Sequence, residues 1–399
     1  MNDRYVPDFR VWIDGEVVPS SLRASIMSVS QTSGLEGADR VEIALANEGL
    51  RWLDHDLLKV HKSLKLELGY AGEELTQVFV GEIVAVEASF PGGGMPTVTI
   101  AAHDRRHRLA DGTKVRWFAI PIPSVGNFAV PDPITVSAVS LENGLIPLID
   151  PVGAAIAILL GGVEAVVSVA DPGSAQKFIR KQANESDYDF IAKIAAENGW
   201  EVQMEHGGDL GGRLLRFTSP LDHLDADVTL RYGSSLLEFS PRISIVGQVF
   251  SISGYVWVPQ IKLVFVVTLG WDWDRMALTL SVYPGVIPIG TEASNHLIQE
   301  PLTAVSAPRK ILAEILPRLN KRLTASGSTL GDPRIQAGKV LRLEGVGQQF
   351  GGLYRVTSAT STIDQSGFRT QFETRKEIWF GSIPSPEQGA IPVTVPFAA

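Results

Sequence analysis

Three short runs of this chain hold residue types that do chemistry in other proteins. His103-Asp104-Arg105-Arg106-His107 places two imidazoles at i and i+4, a spacing that puts both on one helical face within reach of one metal ion. No third ligand and no glutamate base follow at zinc-protease spacing, and the two arginines between the histidines would oppose a cation. The run is read as a short, exposed turn after the strand before it. Asp222-His223-Leu224-Asp225-Ala226-Asp227 gathers three carboxylates, as calcium loops do. It lacks the glycine and the terminal glutamate of an EF-hand and reads as a solvated loop. Residues 345–352 are rich in glycine, yet no Gly-Lys-Ser/Thr follows, so they make a turn between strands and not a phosphate cradle. The chain has neither a Gly-x-Ser-x-Gly elbow nor a His-Glu-x-x-His pair. Cysteine is absent, which excludes disulfides, thiolate catalysis, iron–sulfur clusters and cysteine-based zinc sites. Trp200, Trp257, Trp271, Trp273 and Trp379 fit a core or a subunit interface better than a ligand groove. No catalytic residue, cofactor or metal site is expected; the composition points to assembly rather than catalysis.

The elements that would position these residues are mostly strands. Val41, Ile43 and Leu45 alternate with Glu42 and Ala44, and Leu64, Leu66, Leu68 and Tyr70 alternate with Lys65, Glu67 and Gly69. A period of two lays one face on a core and the other toward solvent or a partner. The pattern continues over 78–87 and 98–101, with glycine-bearing turns at 69–72 and 91–94. Short strands with close turns suggest a small barrel or sandwich. Pro121, Pro123, Pro131 and Pro133 then mark a linker, followed by a short predicted helix over 134–144 and an apolar run over 152–170. That run is about long enough to cross a bilayer, but Glu164 and Gly161-Gly162 interrupt it and no Lys or Arg flanks it closely. It is read as a buried helix or hairpin at an interface. Glu185-Ser186-Asp187 offers caps for a helix over 186–199, with the stripe Tyr188, Ile191, Ile194 and Ala195 and a stop at Asn198-Gly199. Strand signals return at 201–205, 214–218, 228–232, 249–258 and 262–269. A second amphipathic helix is predicted over 308–323 from Leu312, Leu316, Leu319 and Leu323, kinked at Pro317. Strands resume at 340–343, 353–358 and 368–376, and the proline-marked stretch 383–399 reads as an extended arm.

A length of 399 residues corresponds to two or three domains, and 45% hydrophobic with 20% charged residues is globular composition. The 35 Lys and Arg against 44 Asp and Glu leave a net charge of −9, which repels a phosphate backbone, so nucleic acid is not an expected partner. Met1-Asn2-Asp3-Arg4-Tyr5-Val6-Pro7 carries charge where a signal peptide needs an apolar core, and secretion by that route is not expected. One internal similarity stands out. Leu64-Lys65-Leu66-Glu67-Leu68-Gly69 precedes Phe79-Val80-Gly81-Glu82-Ile83, and Leu341-Arg342-Leu343-Glu344-Gly345 precedes Phe350-Gly351-Gly352-Leu353-Tyr354. Each copy has a strand, a turn, a Phe-x-Gly opening the next strand, then another strand, at Val98 or at Phe368. Two copies in one order imply that one β-barrel unit occurs twice.

The run Lys181-Gln182-Ala183-Asn184-Glu185-Ser186-Asp187-Tyr188-Asp189-Phe190-Ile191, continuing to Ala196-Glu197-Asn198-Gly199-Trp200, resembles a signature of the late control D family. These are the baseplate hub proteins of contractile phage tails and related injection systems, including the hub part of the valine-glycine repeat spike proteins of type VI secretion. Tyr232-Gly233-Ser234-Ser235-Leu236-Leu237-Glu238-Phe239-Ser240-Pro241 is similar to the family's central block. Gly331-Asp332-Pro333 through Gly338, with Phe350 to Val356, is similar to its C-terminal block. The resemblance implies a non-enzymatic homotrimer, mainly β with a few helices (α+β). Its three chains would present six barrel units as a pseudo-six-fold ring. It also implies an inner tube or tube-initiator protein, a separate spike, other baseplate proteins and a tape-measure protein as partners. Assembly would take place in the cytoplasm and end in the baseplate of a virion or injection particle.

On this reading 1–118 is a first barrel that docks the tube, and 119–227 is a connector holding the insertion 152–170 and the bracing helix 186–199 with Tyr188, Ile191 and Ile194. A second barrel spans 228–378, and 379–399 is the arm. The expected subunit and tube interface lies on the strands of Leu64, Leu66, Leu68, Phe79, Gly81, Ile83, Leu341, Leu343, Phe350, Gly352 and Tyr354. Two other classes of function are a cell-wall hydrolase of the baseplate, which needs a carboxylate pair in a groove, and a membrane-anchored β-rich adaptor relying on 152–170.

Overall fold

The structure, a computed structural model, describes residues 6–119, 164–168, 179–197, 200–208, 211–218, 220, 223–244, 251–258, 262–272, 277–284, 295–302, 311, 314, 317–377 and 393–394. The first module holds β1 (Pro7–Ile13), β2 (Glu16–Val17), β3 (Ile26–Gly34), β4 (Arg40–Ala46), β5 (Ser63–Tyr70), β6 (Thr76–Ser89) and β7 (Thr97–His103). The alternation read from the sequence becomes burial. Val41, Ile43 and Leu45 of β4 and Leu64, Leu66 and Leu68 of β5 point into one apolar core with Phe79, Ile83, Val98 and Ile100. The connector supplies β8 (Lys114–Ala119), β9 (Glu164–Ser168), β10 (Ile179–Glu185), the helix Asp187–Glu197, β11 (Glu201–Glu205) and β12 (Leu214–Thr218). Ser186 caps that helix, its hydroxyl accepting the Asp189 N–H at 3.0 Å.

The second module is built from β13 (Val228–Arg231), β14 (Leu236–Ile243), β19 (Leu323–Leu330), β20 (Val340–Glu344), β21 (Gly352–Asp364) and β22 (Gly367–Arg375). A separate five-stranded sheet lies between β14 and β19 in the chain: β15 (Ser251–Val258), β16 (Leu263–Asp272), β17 (Ala277–Pro284) and β18 (Asn295–Leu302), joined by β23 (Val393–Thr394). Its strands are the apolar segments that follow Ile243 in sequence.

The two modules form one 13-stranded sheet, joined where β3 pairs with β21. Their ladders match strand for strand. β5–β6–β7 and β20–β21–β22 are antiparallel meanders, and β7–β4–β3 is repeated as β22–β19–β14. The irregularities match as well. β6 bulges against β7 between Ile83 and Ala85, and β21 bulges against β22 between Val356 and Ser358. β3 bulges against β4 between Ile26 and Ser28, and β14 bulges against β19 between Leu236 and Glu238. A bulge adds one residue and bends the strand, so equal bulges give the two modules equal local bends. The copies differ in two respects: β5 and β6 carry a further register shift between Leu66 and Glu67 that β20 and β21 lack, and β1 runs antiparallel to β5 but β13 runs parallel to β20.

Several expectations change. Among the described residues no pairing closes either module on itself, and the two expected barrels are joined in one sheet. The matched ladders make Leu64 equivalent to Leu341, since Ser63 faces Glu82 as Val340 faces Arg355. In the same frame Gly81 corresponds to Tyr354 and Phe79 to Gly352, so the repeated Phe-x-Gly is offset by two residues. The helix predicted over 308–323 ends earlier: Pro317, Arg318 and Leu319 are helical, while Leu323 opens β19. Of 152–170, only β9 is described, and it is a strand parallel to β12. The helix predicted over 134–144 and most of the arm 383–399 lie outside the described residues. No helix among the described residues is long and apolar enough to cross a membrane.

Candidate functional site

Two clusters of buried charge flank β11, the connector strand that lies between the two modules. On the first module, the turn after β7 supplies Asp104 and Arg106, and the loop before β4 supplies Asp39. Arg106 is 1% exposed. Its Nε donates to Asp104 Oδ2 at 2.9 Å, and its Nη1 reaches the Val202 carbonyl of β11 at 3.4 Å. Its Nη2 lies 2.6 Å from Asp39 Oδ1 and 2.8 Å from Asp104 Oδ2, charge contacts rather than aligned hydrogen bonds. The backbone N–H of Asp39 donates to Asp104 Oδ2 at 2.8 Å. His206, one residue past β11, completes the group. Its Nδ1 accepts the Val80 N–H at 3.1 Å, so Nε2 carries the proton and donates to Asp39 Oδ2 at 2.8 Å. Burial works against charge at Asp39, but Arg106 and His206 outweigh it and hold the carboxyl below its usual range. Burial likewise works against charge on Arg106, and Asp39 and Asp104 raise it above its ordinary value.

Asp39, Asp104 and His206 lie close enough to share an ion. The Arg106 guanidinium already sits between the two carboxylates and neutralises them, so the group is built as an ion network. The reading of 103–107 as an exposed turn is therefore corrected. Asp104 and Arg106 are buried because the connector covers them, and covering charge is tolerable only where each charge meets its counterpart.

On the second module, Arg355 of β21 donates from Nε to Glu377 Oε1 at 2.9 Å and from Nη1 to the Gly338 carbonyl at 2.9 Å. Arg375 of β22 bridges Glu377 Oε1 at 2.8 Å and Glu201 Oε1 of β11 at 2.5 Å. Burial raises the Glu377 carboxyl despite both arginines. Gly338 has φ +82° and packs so tightly on β11 that a Cβ there would lie 2.0 Å from Gln203 Nε2. Glu201 thus holds the second module through Arg375 and Gln203 lies against Gly338, while Val202 and His206 hold the first. The helix Asp187–Glu197 touches the first module through Tyr188, whose hydroxyl accepts the Gly37 N–H at 2.9 Å. Ile191 is buried, and Ile194 lies one turn further along the helix.

The residues expected at an interface are mostly core. Leu64, Leu66, Leu68, Phe79 and Ile83 belong to the first apolar cluster, and Leu341, Leu343 and Tyr354 to the second. Gly81 is buried, where a Cβ would meet the His103 carbonyl oxygen at 2.2 Å. Phe350 and Gly352 are half-buried, and the Phe350 carbonyl accepts the Tyr354 hydroxyl at 2.6 Å. Sequence neighbours of these residues lie outside the two cores: Lys65 pairs with Glu67 at 2.9 Å, and Arg342 is exposed. On the polar face of the second module a groove is lined by Glu238, Ser240, Ser328, Thr360, Gln371 and Glu373. The sheet face is therefore hydrophilic and hydroxyl-rich.

No family model matches the sequence, and no curated protein matches it either. Solved structures do share the fold. A tail protein from Neisseria meningitidis aligns with TM-score 0.62 at 11% identity, over 95% of this chain and 99% of that one. The 43 kDa tail protein of prophage MuSo2 from Shewanella oneidensis aligns with TM-score 0.58 at 13% identity, over 92% and 98%. A component of the Escherichia coli type VI secretion system aligns with TM-score 0.56 at 10% identity, over 91% and 76%; it is described as structurally similar to the T4 bacteriophage tail proteins gp27 and gp5. The chain has the fold of phage-tail and type VI secretion components.

Proposed function

We propose that this chain is the central hub of a contractile tail or injection machine, of the late control D kind. It works as a homotrimer that seats a six-fold inner tube on one face and a separate three-fold spike on the other, and it nucleates tube assembly. The observation that carries this reading is the internal duplication, with matching ladders and two matching bulges in both modules. Three chains with two like modules each offer six similar surfaces around one axis, which reconciles a sixfold partner with a threefold one. The tail and secretion proteins that share the fold support the same reading.

The work of such a hub is mechanical, and the chain needs no catalytic step. The strands carrying Leu64 to Tyr70, Phe79 to Ile83 and Leu341 to Tyr354 present the tube-facing surface, and the helix Asp187–Glu197 with β11 braces the modules. The tube or tube-initiator protein, the spike, other baseplate proteins and the tape-measure protein are its partners. It assembles in the cytoplasm and ends in the baseplate of the particle. Light scattering on the purified chain, alone and co-expressed with the spike, tests this. Three times the 43.1 kDa chain mass is expected. A monomer at every concentration under both conditions overturns the reading.

A further inference from the structure

We infer that the outer half of β6 in one copy of this chain pairs antiparallel with β14 of the next copy, in the register that β21 and β3 use inside the chain. This rests on the self-assembly reading above and adds to it the strands and the residues that meet. Inside the chain, β21 joins β3 with Ala359 opposite Ser33, Thr360 opposite Thr32, Ser361 opposite Gln31, Thr362 opposite Ser30 and Ile363 opposite Val29. The matched bulges equate β21 with β6 and β3 with β14. In the single chain both equivalent edges stand open. Beyond its bulge β6 pairs only with β7, and from Glu238 onward β14 pairs only with β19, among the described residues.

Carrying the internal register across puts Val86 opposite Ile243, Glu87 opposite Arg242, Ala88 opposite Pro241, Ser89 opposite Ser240 and Phe90 opposite Phe239. The chemistry of these pairs fits the junction. At the internal junction Val29, Gln31, Ser33, Ala359, Ser361 and Ile363 are buried. On the opposite face Thr32 meets Thr360 at 3.1 Å and Ser30 meets Thr362 at 3.4 Å through their hydroxyls. At the carried-over junction every position on the buried row is apolar: Val86, Ala88, Phe90, Phe239, Pro241 and Ile243. Every position on the other row is polar: Glu87, Ser89, Ser240 and Arg242, with the acid facing the base. Alone, the chain leaves Phe90 60% and Ile243 37% exposed, which a second copy would cover.

Pro241 stands where the internal junction has Gln31, and it is the weakest position of the carried-over register. The Ser244 N–H donates to the Arg322 carbonyl, so positions 240 and 242 face β19 and position 241 faces the open edge. The proline therefore costs the β14–β19 ladder nothing, but it leaves the Ala88 carbonyl without a donor, so the new junction holds one hydrogen bond fewer than the internal one. Each copy offers one β6 edge and one β14 edge, a head-to-tail contact that closes into a ring when the rotation permits.

The test is a cysteine pair in the full-length chain, Ser89→Cys with Ser240→Cys. The natural sequence has no cysteine, so every cross-link reports that pair. Opposed residues at a non-hydrogen-bonded position sit about 4.5 Å apart at Cα, inside the span a disulfide bridges. Mild oxidation should give covalent multi-chain bands ending at one closed species. The slipped pair Ser89→Cys with Arg242→Cys should react at least about ten-fold more slowly, because its Cα atoms are farther apart. Glu87→Arg alone should weaken assembly, and Glu87→Arg with Arg242→Glu should restore it. An assembled particle that forms no Ser89–Ser240 cross-link, or cross-links the slipped pair equally fast, overturns this junction and leaves self-assembly standing. Single chains in both the scattering and the oxidation overturn both.

Discussion

Arg106 is buried, and its charge faces Asp39, Asp104 and the Val202 carbonyl. Taking it away leaves two buried carboxylates side by side, and losing one partner of a buried ion pair costs about 3–5 kcal/mol. Arg106→Met is expected to lower the unfolding free energy by that amount in a urea titration. Arg40→Ala, which removes an exposed pair with Glu42 at 4.0 Å, is expected to change it by less than about 1 kcal/mol. Lys376 makes a second test. Burial pulls its ammonium down to about 8 from 10.5, while its Nζ donates to the Gly351 carbonyl and lies over the Tyr354 ring. Folded, the amine sheds its proton near pH 8; unfolded, it keeps it until near 10.5. Between those values the unfolded chain binds more protons, so this group's contribution to stability rises with pH. Unfolding free energies measured from pH 7 to 10 should show that rise in the natural chain and lose it in Lys376→Met. None of this was legible in the sequence. His206 and Asp39 are 167 residues apart, and a pair closed over that distance leaves no periodic trace in either segment. The only local signal was a charged quintet following an apolar strand, which reads equally as a solvated turn.

Strands were the legible elements, because alternation is a local property. The expected spans 201–205 and 214–218 coincide with β11 and β12, and the helix over 186–199 was marked by its caps more than by its stripe. The helix expected over 308–323 overran because Leu319 and Leu323 keep a helical spacing across a boundary that only the pairing of β19 with β14 and β22 sets. The seam along β11 predicts its own weak point. Gly338→Ala places an alanine at φ +82°, a strained backbone for an L residue, and moves its Cβ onto the flexible end of Gln203, so it should cost about 1–3 kcal/mol, chiefly in the backbone, read as a lowered Tm. Adding Gln203→Ala should recover the steric part and leave the backbone part.

One sheet carries both modules, so they should lose structure together. Native-state hydrogen exchange at Val41 of β4 and Phe372 of β22 is expected to report the same opening free energy, and urea unfolding of these modules a single transition. Two separated transitions would mean that the β3–β21 ladder does not couple them. The duplication itself was visible in the sequence, but through a motif that is two residues out of step. A Phe-x-Gly is a pattern of residue types, whereas the true correspondence is set by bulges, which have no residue signature of their own. Those bulges also constrain how the chain can change over generations. Past each one the strand alternates faces with strict period, so a single residue gained or lost between bulge and edge would turn the whole greasy row outward. The two halves of this molecule are free to drift apart in letters, and they have, but their spacing must be inherited in lockstep.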